Sequence, residues 1–89
     1  ISVLSNIAPK VVHEMCYHFF EGRVKEAAAL QIGYADLIAA LFSDVNPIPV
    51  KEAMNLMGMD VGPCRLPLVP MSEDARNNLK VRLAEKGLL

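Results

Sequence analysis

The sequence lacks an excess of charge of either sign. Its nine lysines and arginines are balanced by ten aspartates and glutamates, which gives a formal net charge of −1 at pH 7. Proteins that bind nucleic acid or anionic membrane surfaces carry a clustered basic patch, and the charges here are spread along the chain. The composition therefore predicts neither a nucleic-acid partner nor a membrane partner.

Long hydrophobic runs are missing as well. Charged residues interrupt every apolar stretch well before the roughly 20 residues that a transmembrane helix needs. No basic segment followed by an apolar one opens the chain, as it would in a secretion signal. We therefore expect a cytoplasmic protein.

Cysteine is scarce, and the histidines are poorly spaced for a metal. Cys16 and Cys64 are the two thiols, they form no CxxC motif, and we expect no structural disulfide. His13 and His18 would lie about 140° apart around a helix, too far apart to share one ion. His13 and Cys16 have a workable i, i+3 spacing, but two ligands without a second pair do not make a zinc site. The sequence predicts no metal ion.

The apolar content is high for so short a chain. At 89 residues and 53% hydrophobic residues, a single small domain buries only about 60 to 65% of its unfolded surface. Part of the exposed surface should therefore face another domain or subunit. The chain opens on a β-type run, Ile1-Ser2-Val3-Leu4, without an initiator methionine. We expect a piece of a longer protein, and one that self-associates when alone.

Apolar periodicity predicts an all-α fold of four helices after a vestigial N-terminal strand at residues 1–4. Without a neighbouring strand, three states stay open for residues 1–4: frayed, helical, or paired with another copy. The four predicted helices run over residues 7–21, 23–42, 49–57 and 72–86. The second is apolar on more than one face and must be covered on two sides.

Capping residues sharpen these boundaries. Ser5 and Asn6 are candidate N-caps of the first helix, and Ser72 is the candidate N-cap of the last. Glycines that follow the apolar stripes are candidate stops: Gly22, Gly58 and Gly87. Between the last two helices, Leu66, Leu68 and Val69 are expected to fasten a proline-rich loop to the body. The methionines are expected to fill the core: Met54, Met57, Met59 and Met71.

Several short motifs resemble one known family. These are Ile1-Ser2-Val3 with Asn6 and Ala8, Asn46-Pro47-Ile48-Pro49-Val50-Lys51, Arg65-Leu66-Pro67-Leu68 with Pro70, and the terminal Gly87-Leu88-Leu89. Together they resemble the C-terminal end of the dihydrodipicolinate synthase family of class I pyruvate aldolases. The family usually has Glu-Pro where this chain has Asp44-Val45.

The resemblance implies a place in a larger fold. Residues 1–22 would be the last strand and the eighth helix of a (β/α)₈ barrel, and residues 23–89 a C-terminal three-helix extension. The whole protein would be a homotetrameric lyase that needs no cofactor. It would condense pyruvate, held as a Schiff base on a lysine, with aspartate semialdehyde in lysine and diaminopimelate biosynthesis.

The same resemblance implies which residues of the active site lie in this chain and which lie upstream. Ile1 would line the pyruvate pocket at the C-terminal side of the barrel. The Schiff-base lysine and the catalytic tyrosine lie upstream, so no residue of this chain is predicted to be catalytic. Tyr17 and Tyr34 do not match them. Lys51 is interpreted as a solvated or ion-paired lysine, because it falls in the first turn of a helix.

Two other interpretations remain open. The chain could be an independent helical interaction module that binds a partner helix in a groove lined by the second helix. It could also belong to another pyruvate-dependent aldolase, such as a sialic-acid lyase, because the residues that set specificity lie outside it.

Overall fold

The computed structural model describes all 89 residues, and helices are its only regular secondary structure. The all-α prediction is therefore confirmed. The elements are a 3₁₀ turn at Leu4–Asn6 and the helices α1 (Pro9–Phe20), α2 (Val24–Gly33), α3 (Ala35–Leu41), α4 (Ile48–Leu56) and α5 (Glu73–Glu85).

Residues 1–4 form no strand in this chain, because no neighbouring strand is present to pair with them, and a 3₁₀ turn begins at Leu4. Instead, the polar groups of this segment bond locally. The Ser5 amide donates to Ser2 Oγ at 3.1 Å, the Ser5 hydroxyl donates to the Ser2 carbonyl at 2.8 Å, and Asn6 Nδ2 donates to the Val3 carbonyl at 3.0 Å. Ser5 and Asn6 therefore do not cap α1. Its N-cap is Ala8, and Pro9 follows in the first turn, where the missing N–H is not needed.

The predicted second helix is split in two, so the chain has five α-helices and not four. The interruption is one residue, Tyr34, whose φ of −99° and ψ of 3° depart from helical values. Its amide still donates to the Leu30 carbonyl at 3.1 Å, and its carbonyl accepts from the Ile38 amide at 2.9 Å. Gly33, a poor helix former, immediately precedes the break.

The core is formed by α3, α4, α5, the 3₁₀ turn and the residues next to it; we call this part the body. Leu41, Ala53, Leu79 and Leu83 have no exposed surface at all. α5 packs against both α3 and α4. The buried apolar residues are Leu4, Ile7, Ala8, Leu37, Ala40, Leu41, Ile48, Val50, Ala53, Met71, Leu79 and Leu83.

The helices α1 and α2 form a separate hairpin beside this core, residues 9–33, which we call the arm. The two helices pack against each other, and α1 also packs against the 3₁₀ turn. Neither helix contains a buried residue. The molecule is accordingly elongated, with extents of 44 × 21 × 21 Å. The apolar contacts of the arm with the core come from three partly buried residues of α1, Val11, Val12 and Met15.

The proline corner and the loop after α4 are fixed in different ways. Ile48, Pro49 and Val50 are buried, so the corner belongs to the core. The loop is tied to α4 by polar side chains: Lys51 Nζ donates to the Pro63 carbonyl at 2.7 Å, and the Asn55 amide group bonds to the backbone of residues 61 and 62 at 2.8 and 3.0 Å.

The apolar side chains of this loop contribute less than expected. Leu68 packs against the core, but Leu66 is 84% and Val69 is 59% exposed, so the prediction that all three fasten the loop is wrong for these two. Of the methionines, Met71 is buried, and Met54 and Met57 pack against the core.

The last helix matches its prediction closely. Ser72 Oγ accepts a hydrogen bond from the Ala75 amide at 3.2 Å, as expected of an N-cap. Leu79 and Leu83 form the inner stripe, and Arg76 forms an ion pair with Glu52 on α4. The stop residues Gly22, Gly58 and Gly87 all adopt positive φ, at 79°, 89° and 69°.

Candidate functional site

An open apolar groove of about 750 Å³ lies where the arm meets the body. Of its 14 lining residues 12 are hydrophobic, and the other two, Ser2 and Gln31, are uncharged. The apolar lining consists of Ile1, Leu4, Val12, Met15, Cys16, Phe19, Phe20, Val24, Ala27, Ala28, Ile38 and Phe42. We call this surface the groove.

The groove exists because the core covers the apolar stripe of α1 only in part: Val12 and Met15 pack against it partly buried, and Phe19 does not. Val12, Met15 and Phe19 recur at helical spacing and share one face, as the sequence predicts. That face is turned toward the groove, and Phe19 and Phe20 remain 61% and 80% exposed. A contiguous exposed apolar surface marks an interaction site. Without a charged group, the groove is suited to receive apolar side chains and not to perform acid–base chemistry.

Ile1 and Ser2 lie at the edge of the groove next to Leu4. The Ile1 side chain is fully exposed. The pyruvate contact that the resemblance assigns to Ile1 stays a prediction, because its partners would come from outside this chain.

A second, more polar hollow of about 440 Å³ lies between α4 and the loop that follows it. Two of its three charged side chains are engaged: Lys51 donates to the Pro63 carbonyl, and Glu52 pairs with Arg76. The third, Asp60, is a single carboxylate. Lys51 therefore fastens a loop and is not ion-paired. This hollow offers structural contacts and no free catalytic pair.

The histidines and cysteines that could bind a metal ion are not gathered at one site. His13 stacks on Tyr17 with ring centroids 6.0 Å apart, and His18 Nδ1 accepts a hydrogen bond from Arg23 Nε at 2.9 Å. Cys16 and Cys64 are free thiols, one in the arm and one in the loop after α4. No three His, Cys, Asp or Glu side chains lie close enough together to hold a metal ion.

None of the helices combines the length and the apolar character that crossing a membrane requires.

The sequence and the structure both match known proteins. The model of the dihydrodipicolinate synthetase family matches residues 1–86. The 4-hydroxy-tetrahydrodipicolinate synthase of Acetivibrio thermocellus is 52% identical over 89 residues, which are 100% of this chain and 30% of that protein.

Solved structures give the same result. A dihydrodipicolinate synthase from Thermotoga maritima superposes with a TM-score of 0.96 at 46% identity, covering 100% of this chain and 30% of that one. The enzyme from Acinetobacter baumannii, described as complexed with pyruvate, superposes with a TM-score of 0.92 at 39% identity, covering 100% of this chain and 31% of that one.

This chain thus spans about 30% of the length of the relatives that it matches. The match nevertheless extends over nearly every residue, from the N-terminal segment through the proline corner to α5. The chain belongs to the dihydrodipicolinate synthetase family.

Proposed function

We propose that this chain is the C-terminal part of a lyase that condenses pyruvate with aspartate semialdehyde in lysine and diaminopimelate biosynthesis. The observation that carries the proposal is the family match over residues 1–86. The relatives bearing the synthase name support it, as does the pyruvate in the Acinetobacter baumannii structure. The whole protein acts in the cytoplasm as a homotetramer and needs no cofactor.

Within that protein the chain supplies shape and one wall of the substrate site. Residues 1–22 are the last strand and the eighth helix of the barrel, and residues 23–89 are the C-terminal extension, in which α2 and α3 together count as one of three helices. Residues 1–4 become a strand when the preceding strand is present to pair with them. Ile1 then contacts pyruvate. The boundary at residue 22 separates barrel from extension along the chain. It does not separate two packing units, because α2 packs on α1 across it.

The groove is the surface on which the rest of the protein packs. It is apolar, uncharged and open. Its exposed phenylalanines stabilise the protein only when a partner buries them. The same features favour a second candidate function, an independent helical module that takes a partner helix in the groove.

Trapping of the Schiff base tests the first proposal. We expect pyruvate and borohydride to attach one reduced pyruvate to the longer protein, on a lysine N-terminal to residue 1, and to leave the isolated 89-residue chain unmodified. Peptide mass mapping locates the adduct. Lys51→Arg serves as the control and keeps the adduct, because Lys51 holds a loop. An adduct on Lys51, or an unmodified longer protein, would overturn the proposal.

Self-association of the isolated chain tests the role of the groove. Because the groove lacks its cover, sedimentation velocity should show dimers or larger species at high micromolar concentration. Phe20→Lys should shift the distribution toward monomer, since Phe20 is 80% exposed in the groove. Val81→Lys, at a 51% exposed position on α5, is the matched control and should not. A compact monomer that binds no apolar dye contradicts this prediction.

A further inference from the structure

Side chains at the C-terminal end of α5 contact the junction between the arm and the body. Lys86 Nζ lies 4.9 Å from the centre of the Tyr34 ring. It also lies 3.8 Å from the point where a β-carbon on Gly33 would stand, so the missing side chain leaves room for the ammonium. One turn earlier, Arg82 Nη1 approaches Asp36 Oδ2 at 4.0 Å and bonds to the Glu85 carboxylate at 3.0 Å.

This junction is where the arm would move if nothing held it. The arm contains no fully buried residue, and its apolar contacts with the core come from three partly buried residues of α1, Val11, Val12 and Met15. The helix that connects it to the body is interrupted at Tyr34. Segments with few buried apolar contacts open at low cost in free energy. The contacts of α5 are therefore made at a junction where Tyr34 is only partly buried against the core.

Of the two cationic contacts, that of Lys86 contributes more to the stability of the junction. Asp36 is 81% exposed, and its 4.0 Å pair with Arg82 competes with the closer Glu85 carboxylate. Exposed ion pairs of this kind contribute little. A cation over the face of an exposed aromatic ring shifts an equilibrium by roughly two- to five-fold.

The groove depends on the angle at this junction. Phe19, Phe20 and Val24 line it from the arm, whereas Leu4 and Phe42 line it from the body. A change in the angle between arm and body therefore changes the width of the groove, even though Lys86 itself is not among its lining residues.

We propose that the end of α5 is a clamp, in which Lys86 is a positioning residue that holds the arm at a fixed angle on the body and thereby sets the shape of the groove. The proposal does not depend on the reaction that the longer protein performs. It concerns an equilibrium between a clamped and an opened junction within this chain.

Hydrogen exchange at single amides tests the clamp. The amides of Tyr34 and Ile38 report on the junction, because their bonds to the carbonyls of Leu30 and Tyr34 meet at the interrupted residue from its two sides. Lys86→Met removes the charge and keeps the chain length, and it should make these two amides exchange roughly two- to five-fold faster. The amide of Ala53, in the middle of α4, should keep its rate.

Two variants at lysines of α5 complete the comparison. Lys86→Arg should restore the wild-type rates, because a guanidinium also stacks on an aromatic ring. Lys80→Met, on the same helix, should change nothing at the junction. Unchanged exchange in Lys86→Met, or the same acceleration in Lys80→Met, would overturn the proposal. So would equal acceleration at Ala53, because Lys86 would then only contribute to global stability.

The two native thiols provide a second, independent measurement. Cys16 lies in the arm and Cys64 in the loop fastened to α4, and both are free. Spin labels on them report the distance between arm and body, with unlabelled chain added to dilute any self-associated pairs. The distance distribution should broaden in Lys86→Met and return to the wild-type width in Lys86→Arg. Equal widths in all three proteins would also overturn the clamp.

Discussion

Leu79→Ala is expected to remove a large part of the free energy of unfolding of the isolated chain. Leu79 has no exposed surface and lies on α5, which packs against both α3 and α4. Removing a buried leucine side chain costs about 2 to 5 kcal/mol through lost burial and the cavity that remains. Single domains are stable by only about 5 to 15 kcal/mol, and one of this size belongs at the lower end. Urea titration followed by helical circular dichroism measures the loss.

The control for this prediction is a large apolar residue of the arm. Phe20→Ala removes more atoms than Leu79→Ala, but Phe20 is 80% exposed, so its loss should change the free energy of unfolding by less than about 0.5 kcal/mol. Leu83→Ala, at the other fully buried position of α5, should resemble Leu79→Ala. If Phe20→Ala costs as much as Leu79→Ala, the division into a packed body and an unpacked arm is wrong.

Phe19→Asp is expected to abolish assembly of the longer protein while sparing this chain. In the chain alone Phe19 is 61% exposed, so a carboxylate there stays in water. In the proposed lyase the groove is covered, and a buried carboxylate without a partner costs several kcal/mol. The soluble yield, the thermal midpoint and the pyruvate adduct of the longer protein should all fall sharply. Urea unfolding of the isolated variant should match the wild type.

A residue on the opposite face of α1 provides the comparison. Tyr17→Asp introduces the same charge two residues away, at a position that is 51% exposed and outside the groove. The longer protein should keep its yield and its adduct, because that face is expected to stay in water. If Phe19→Asp and Tyr17→Asp behave alike, the groove is not the surface on which the rest of the protein packs.

Local signals in the sequence were sufficient for three of the helices. The stripe of α1, the first-turn proline of α4 and the Ser72 cap of α5 each act within a few residues of chain. Glycine stops are equally local, since positive φ is readily adopted only by a residue without a side chain. These features were predicted to within a residue or two.

Other features depended on distant parts of the chain. Residues 1–4 have strand-forming side chains but no neighbour, so they bond locally. The second helix looked continuous, yet it breaks at Tyr34, where the end of α5 supplies a cation from more than 50 residues away. Lys51 and Asn55 fasten the loop after α4 through bonds to backbone carbonyls, which no sequence pattern encodes.

The groove shows the same limit at the level of function. Its signal was present as a helix apolar on more than one face, and the structure shows the exposed apolar surface. That another domain or subunit covers this surface stays a prediction. Which face stays open could not be predicted, because apolar periodicity gives the direction of a stripe and not the identity of what covers it.

The sequence by itself therefore determined the helical class, most helix ends, the excess of apolar surface and, through its motifs, the family. The tertiary structure decided that α3, α4 and α5 share the buried core while α1 and α2 form an arm, and that the groove opens between the two. The physical reason is the range of the forces involved. Capping and backbone preferences act over a few residues, whereas burial depends on which apolar faces meet in three dimensions.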